Sequence, residues 1–90
     1  MEHINISIDG LVQGVRFRLT SKAVADHLRI KGIVKNMPDG SVYIEAEGKR
    51  PQLELFLEWC REGPDNAKVE KVTTVDGELK NYRNFDIVRK

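Results

Sequence analysis

Gly10-Leu11-Val12-Gln13-Gly14-Val15-Arg16-Phe17-Arg18 joins two segments of different period. Before it, His3 to Asp9 alternates apolar and polar residues, with Ile4, Ile6 and Ile8 on one side. That period of two is the pattern of a half-buried strand. After it, Leu19 to Leu28 contains neither Gly nor Pro and reads as a helix. The stretch is therefore a strand-to-helix turn with a glycine at each end of its tight part. Glycine lets the backbone take positive φ and approach a ligand closely. Residues after Gly14 enter the first turn of a helix, where amide N–H groups lack intrahelical partners. Such groups at the positive end of the helix dipole form a seat for an anion. Arg18 adds a planar, permanently charged fork suited to phosphate or carboxylate. The same residues also serve in turns that only redirect the chain, and taken alone they leave both readings open. No Gly-Lys-Ser/Thr follows, so this is not a Walker loop. The Gly-x-Gly-x-x-Gly dinucleotide spacing is also missing.

Working outward, Phe17, Thr20, Val24 and Leu28 fall three or four apart and would line one face of the first helix. Ile33 to Met37 reads as a second strand. Pro38-Asp39-Gly40 is a turn, since Pro presets φ and Gly accepts positive φ. Ser41 to Glu47 alternates, with Val42, Ile44 and Ala46 facing one way. Gly48 stops that strand, and Pro51 opens a helix in its first turn. Leu53, Phe56, Leu57 and Cys60 then follow at i, i+3, i+4 and i+7, the clearest helical stripe in the chain. Gly63-Pro64 ends it. Ala67 to Val75 is a fourth strand, with Val69 and Val75 as the expected inward residues. Asp76 to Asn84 is a polar loop, and Phe85 and Ile87 alternate in a short last strand. The order strand, helix, strand, strand, helix, strand, with a short fifth strand, gives an α+β, ferredoxin-like α/β sandwich. Its expected form is an antiparallel sheet with both helices on one face.

Ninety residues make one domain, expected to span 1–90. Fifteen basic residues against 14 acidic ones leave a net charge of +1. That balance argues against a general nucleic-acid or membrane binder. Met1-Glu2-His3 lacks the basic start and apolar run of a signal peptide. No segment approaches the roughly 20 apolar residues of a membrane span. The single Cys60 has no internal disulfide partner, and a reducing cytoplasm is expected. Cys60 lies on the apolar stripe and reads as core. His3 is expected to be exposed near the N-terminus, and His27 sits in the first helix. Neither has partners at ligand spacing, so no metal and no cofactor are expected. The acidic residues form no evident pair, and Trp59 reads as a half-buried packing residue.

Asn36 stands beside the Pro38-Asp39-Gly40 turn. As a neutral amide it can donate and accept at once, and so can hold a water molecule in one orientation. It can equally satisfy turn backbone at a strand end.

Gly10-x-Val12-Gln13-Gly14-Val15-x-Phe17-Arg18, followed by Gly32-x-Val34-Lys35-Asn36-x-x-Asp39-Gly40-x-Val42, closely resembles acylphosphatase. Glu47-Gly48, Gly63-Pro64-x-x-Ala67-x-Val69 and Phe85 extend the resemblance over essentially the whole chain. It implies hydrolysis of a carboxyl-phosphate anhydride without a metal. Arg18 and the backbone of Gln13, Gly14, Val15, Arg16, Phe17 and Arg18 would bind the phosphoryl group, and Asn36 would position the attacking water. The implied partner is a small-molecule acyl phosphate; from the composition no nucleic acid and no membrane are expected, and the protein is expected to be a monomer. The runner-up is a ferredoxin-like anion-binding module that catalyses nothing. The variant of this domain fused to hydrogenase-maturation proteins fits less well, because the zinc-finger-like cysteines expected downstream in those fusions do not follow. Three positions depart from the family pattern. Arg16 holds a position where small or apolar residues are expected; its charge either helps bind polyanionic substrates or faces solvent. Arg29 stands where a glycine is expected to close the first helix. Ile33 stands where Trp is common.

Overall fold

The computed structural model describes residues 1–89. Its elements run β1 (Glu2–Leu11), α1 (Phe17–His27), β2 (Lys31–Asn36), β3 (Val42–Gly48), α2 (Arg50–Glu62), β4 (Lys68–Gly77) and β5 (Phe85–Val88). One sheet has the order β4-β1-β3-β2-β5. The pairs β1–β4, β1–β3 and β2–β3 are antiparallel, as the expected sandwich requires. The short fifth strand runs parallel to β2, which makes the five-stranded sheet mixed.

The core lies between the sheet and the two helices. Ile4, Ile6 and Ile8 of β1 and Val42, Ile44 and Ala46 of β3 are buried on the helix side. From α2 come Leu53, Phe56, Leu57 and Cys60, all four positions of the stripe. Burying each large apolar side chain contributes about 1.5–3 kcal/mol. Phe56 meets Phe85 edge-on at 5.9 Å and stacks on half-buried Trp59 at 6.2 Å. In α1 the deepest residues are Phe17, Ser21 and Ala25, with Val24 and Leu28 packed beside them. Thr20 instead donates its hydroxyl to the Arg16 carbonyl at 2.9 Å.

Val75 is not inward; it is 61% exposed, and Val72 packs against the core in its place. The cause is a bulge. Gly10 pairs with Val69 but Asp9 pairs with Lys71, so one extra residue enters β4 and reverses its in-out parity.

Arg29 is left-handed, with φ 60°. The Ile30 N–H donates to Ala25 O at 2.8 Å and the Arg29 N–H to Asp26 O at 3.2 Å, the two bonds of a Schellman closure. A side chain in that conformation costs on the order of 1 kcal/mol. Arg29→Gly is therefore expected to stabilise the fold by up to about 1 kcal/mol, less whatever the freer unfolded chain takes back. Urea denaturation measures this, and a lowered midpoint would contradict it.

His3 is not exposed. It is buried on the outer face of the sheet, where the 78–84 loop crosses β1 and β3. Its Nδ1 lies 2.7 Å from Glu47 Oε2, and its Nε2 lies 2.9 Å from Asn5 Oδ1. Glu47 also accepts the backbone N–H groups of Lys80 (2.6 Å) and Tyr82 (3.1 Å). Glu45 accepts the hydroxyls of Tyr82 (2.7 Å) and Tyr43 (3.1 Å), with the Lys80 ammonium at 2.9 Å. The two acids that form no evident pair in sequence thus converge, because β3 places alternate residues on one face.

Burial pushes the Glu47 carboxyl up, but the Lys80 amide, His3 and the Tyr82 amide together outweigh it and hold it below its ordinary value. Glu45 is likewise pushed up by burial and held low by Lys80, Tyr82 and Tyr43. Burial, reinforced by Glu45, pushes the Tyr82 phenol up to about 12. A carboxyl depressed in the folded state stabilises it above the ordinary value of about 4.3, and that share is lost as pH falls through the depressed value. The urea midpoint should therefore fall as pH drops below about 4. Glu47→Gln should cost about 3 kcal/mol at pH 7 and flatten the acid slope. An unchanged slope in the variant would show that Glu47 is not the group that titrates.

Candidate active site

The turn between β1 and α1 is built as the sequence suggests, with Gly14 at φ 75°. Arg16 is also left-handed, at φ 63° and ψ 24°, and serves as N-cap of α1 without a side-chain cap bond. Holding a non-glycine residue there costs about 1 kcal/mol. Val12 and Phe17, both buried, pin the two ends of the turn to the core, and Phe17 packs against Trp59 at 5.2 Å. Half-buried Val15 packs against the same core.

The first backbone bond of α1 is Thr20 N–H to Arg16 O, at 3.0 Å. Among the described residues, no turn or cap bond uses the N–H groups of residues 13 to 19. No acidic side chain stands in the first helical turn. The positive end of α1 is thus uncovered by protein, the electrostatic condition for an oxyanion seat.

Asn36 reaches this seat from the other side. On β2 it shares parity with Gly32 and Val34, and Val34 is fully buried under the helices. Asn36 is thus the last residue of the strand on the helix side, at the end where α1 begins. A cleft of about 100 Å³ is lined there by Gly14, Arg16, Phe17, Arg18 and Asn36, together with Val12, Leu19 and Arg89. Arg18 and Asn36 are half-buried, and neither side chain makes a hydrogen bond or ion pair among the described residues. Their donors are free to meet a ligand.

Two parts of the site are not visible in the sequence. Gln13 contributes more than backbone. Its Nε2 donates to Met37 O at 2.8 Å and Ser41 O at 2.9 Å, tying the turn to the hairpin that carries Asn36. That hairpin is itself closed by Asp39, which accepts the Ser41 N–H (3.0 Å) and hydroxyl (2.7 Å); these bonds lower the Asp39 pKa. Arg89 is the second. It reaches the cleft because β5 lies parallel to β2 and leaves the sheet at the Asn36 end.

Among the described residues, no nucleophilic side chain lines the cleft. Cys60 is buried in the core, and burial pushes its thiol up, away from the thiolate form. His27 is exposed on α1. Among the described residues no group of three or more His, Cys, Asp or Glu could hold a metal ion, and no helix is long and apolar enough to cross a membrane. A larger hollow of about 390 Å³, near Leu28 and Arg29, lies at the other end of α1 and contains none of the site residues.

Fold and cleft together define the class: a ferredoxin-like sandwich with an oxyanion seat at its first strand-to-helix turn. The acylphosphatase family model matches residues 4–87. An acylphosphatase of Ligilactobacillus salivarius is 44% identical over 89 residues, covering 97% of this chain and 98% of that one. An acylphosphatase of Archaeoglobus fulgidus is 44% identical over 84 residues, covering 93% and 94%. The crystal structure of acylphosphatase from Bacillus subtilis superposes with a TM-score of 0.95 at 37% identity, over 98% and 99% of the two chains. The chain belongs to the acylphosphatase family.

Proposed function

We propose that the protein, as one domain over residues 1–90, hydrolyses acyl phosphates to carboxylate and inorganic phosphate. One observation carries the reading: Arg18, the turn residues Gly14, Arg16 and Phe17, and Asn36 line a single small cleft, and among the described residues no acid, thiol or hydroxyl nucleophile lines it. An acyl phosphate is a mixed anhydride with a good leaving group. Its hydrolysis needs charge neutralised and water aligned more than it needs a strong nucleophile.

In this mechanism the Arg18 fork and the amides of residues 13 to 18 hold the phosphoryl oxygens. Asn36 accepts a hydrogen bond from a water and turns its lone pair toward phosphorus. The water attacks in line, the bond between phosphorus and the bridging oxygen breaks, and its electron pair leaves on the carboxylate. The proton from water passes to a phosphoryl oxygen, since among the described residues no side-chain base lines the cleft. Cations and dipoles stabilise the charge spread over the three equatorial oxygens. No step calls for a metal. The reading includes a monomer, acting in the cytoplasm on a small molecule, with no nucleic-acid partner.

The test is hydrolysis of benzoyl phosphate in ¹⁸O-water with EDTA present. Turnover should persist, and the label should appear in inorganic phosphate. Label in benzoate would overturn attack at phosphorus. Phosphate binding without turnover would make the protein an anion-binding module.

A further inference from the structure

Asn36 lines the cleft, yet its side chain makes no hydrogen bond among the described residues. Its placement therefore rests on the backbone, which turns directly after it into the Met37–Ser41 hairpin. The Met37 N–H donates to Ser41 O at 2.8 Å and the Gly40 N–H to Met37 O at 3.1 Å. The same two carbonyls accept both protons of one side-chain amide: Gln13 Nε2 lies 2.8 Å from Met37 O and 2.9 Å from Ser41 O. Turned over, that amide would set its oxygen against two carbonyl oxygens, so its orientation is fixed. Both carbonyls are already satisfied by the hairpin's own bonds, so the fold has no need of a further donor there. Gln13 stands 24 and 28 residues from these partners, and no local turn chemistry calls for the contact. It is half-buried and does not itself line the cleft, whereas its chain neighbours Val12 and Gly14 do.

We propose that Gln13 is a positioning residue for the reaction: its side chain fixes the Met37–Ser41 hairpin relative to the phosphate turn and, through that hairpin, sets where Asn36 holds its water. It touches neither substrate nor water. Arg18 and the turn amides keep their hold on the phosphoryl group without it, so its contribution belongs to the step in which water attacks and not to binding. A displacement of about 1 Å is enough to lower such a rate by up to about 100-fold. The inference rests on the acylphosphatase reading and adds to it the link that sets the distance between nucleophile and phosphorus.

The test is a double-mutant cycle on benzoyl phosphate hydrolysis, run on variants whose urea transition shows them folded. Gln13→Met keeps the length of the side chain and removes both donors. It should lower kcat by about 10-fold or more, while KM and the Kd of inorganic phosphate stay within about 3-fold. In an Asn36→Ala background the same change should cost no more than about 2-fold, because the amide that Gln13 places is gone. A merely structural defect would lower kcat by the same factor in both backgrounds, which would overturn the proposal. So would an unchanged kcat, or a rise in KM alone. If Gln13→Met does not fold, Gln13→Asn, whose amide is one methylene short of the carbonyls, takes its place in the same cycle. If the wild-type chain hydrolyses nothing, the acylphosphatase reading has failed instead, and the link is read by hydrogen exchange. Saturating inorganic phosphate should then slow exchange of the Met37 and Gly40 amides in the wild type but not in the Gln13 variant. The same response in both chains, or in neither, would overturn the link by itself.

Discussion

Arg18→Ala is expected to lower kcat/KM for benzoyl phosphate by about 10³-fold or more, with binding and turnover lost together. Arg18 is half-buried and lines the cleft, so its charge acts in a medium less polar than water. In the proposed mechanism it meets the phosphoryl oxygens both in the bound substrate and in the transition state. Its loss therefore weakens affinity as well as rate, and about 4 kcal/mol of stabilisation disappears. Arg18→Lys should recover only part of this, because an ammonium keeps the charge but not the paired parallel donors. Steady-state kinetics, with the Kd of inorganic phosphate measured alongside, decides the matter. If Arg18→Ala bound phosphate as tightly as the wild type, the seat would be held by backbone alone.

Asn36→Ala is expected to lower kcat by about 10²–10³-fold while KM changes by no more than about 3-fold. In the proposed mechanism the carboxamide does not neutralise phosphate charge; it aligns water, and that contribution appears only as the attacking bond forms. Asn36→Asp should be no better. A carboxylate accepts a hydrogen bond from water as readily, but it sets a negative charge against the phosphoryl dianion and gives up the amide's donors. Near-normal kcat in Asn36→Ala would remove Asn36 from the mechanism. A large rise in KM at unchanged kcat would make it a binding residue.

Arg18 and Asn36 are singled out in the sequence only through the family resemblance, and the structure brings both to one cleft. Seat and fork sit within one strand-to-helix turn, and Asn36 is placed by its strand's period of two. The sandwich is legible in the pattern itself: β1, β3 and α2 each show a clean period, and each buries the residues that period selects. What escapes depends on contacts between distant parts of the chain. The bulge that turns Val75 outward is a matter of pairing between β1 and β4, and the pattern of β4 alone does not reveal it. His3 looks exposed at the start of a chain, until Glu47 and the amides of Lys80 and Tyr82 draw a loop over it. Arg89 lines the cleft because the short last strand runs parallel to β2, a direction its own pattern does not reveal. Arg29 and Arg16 show the limit of propensity. Each takes a conformation its side chain disfavours, held there by the helix end it caps.

The Gln13 carboxamide, which joins the phosphate turn to the Met37–Ser41 hairpin, affects more than stability. In the proposed mechanism phosphate and water are held by different segments of the chain, and a reaction between them needs both in register at the same instant. Two bonds from one side chain make those segments a single frame. The disorder that separate segments would have to lose at every collision is instead given up once, when the chain folds. A small domain can thus present an aligned pair of reactants to a substrate that arrives from open water.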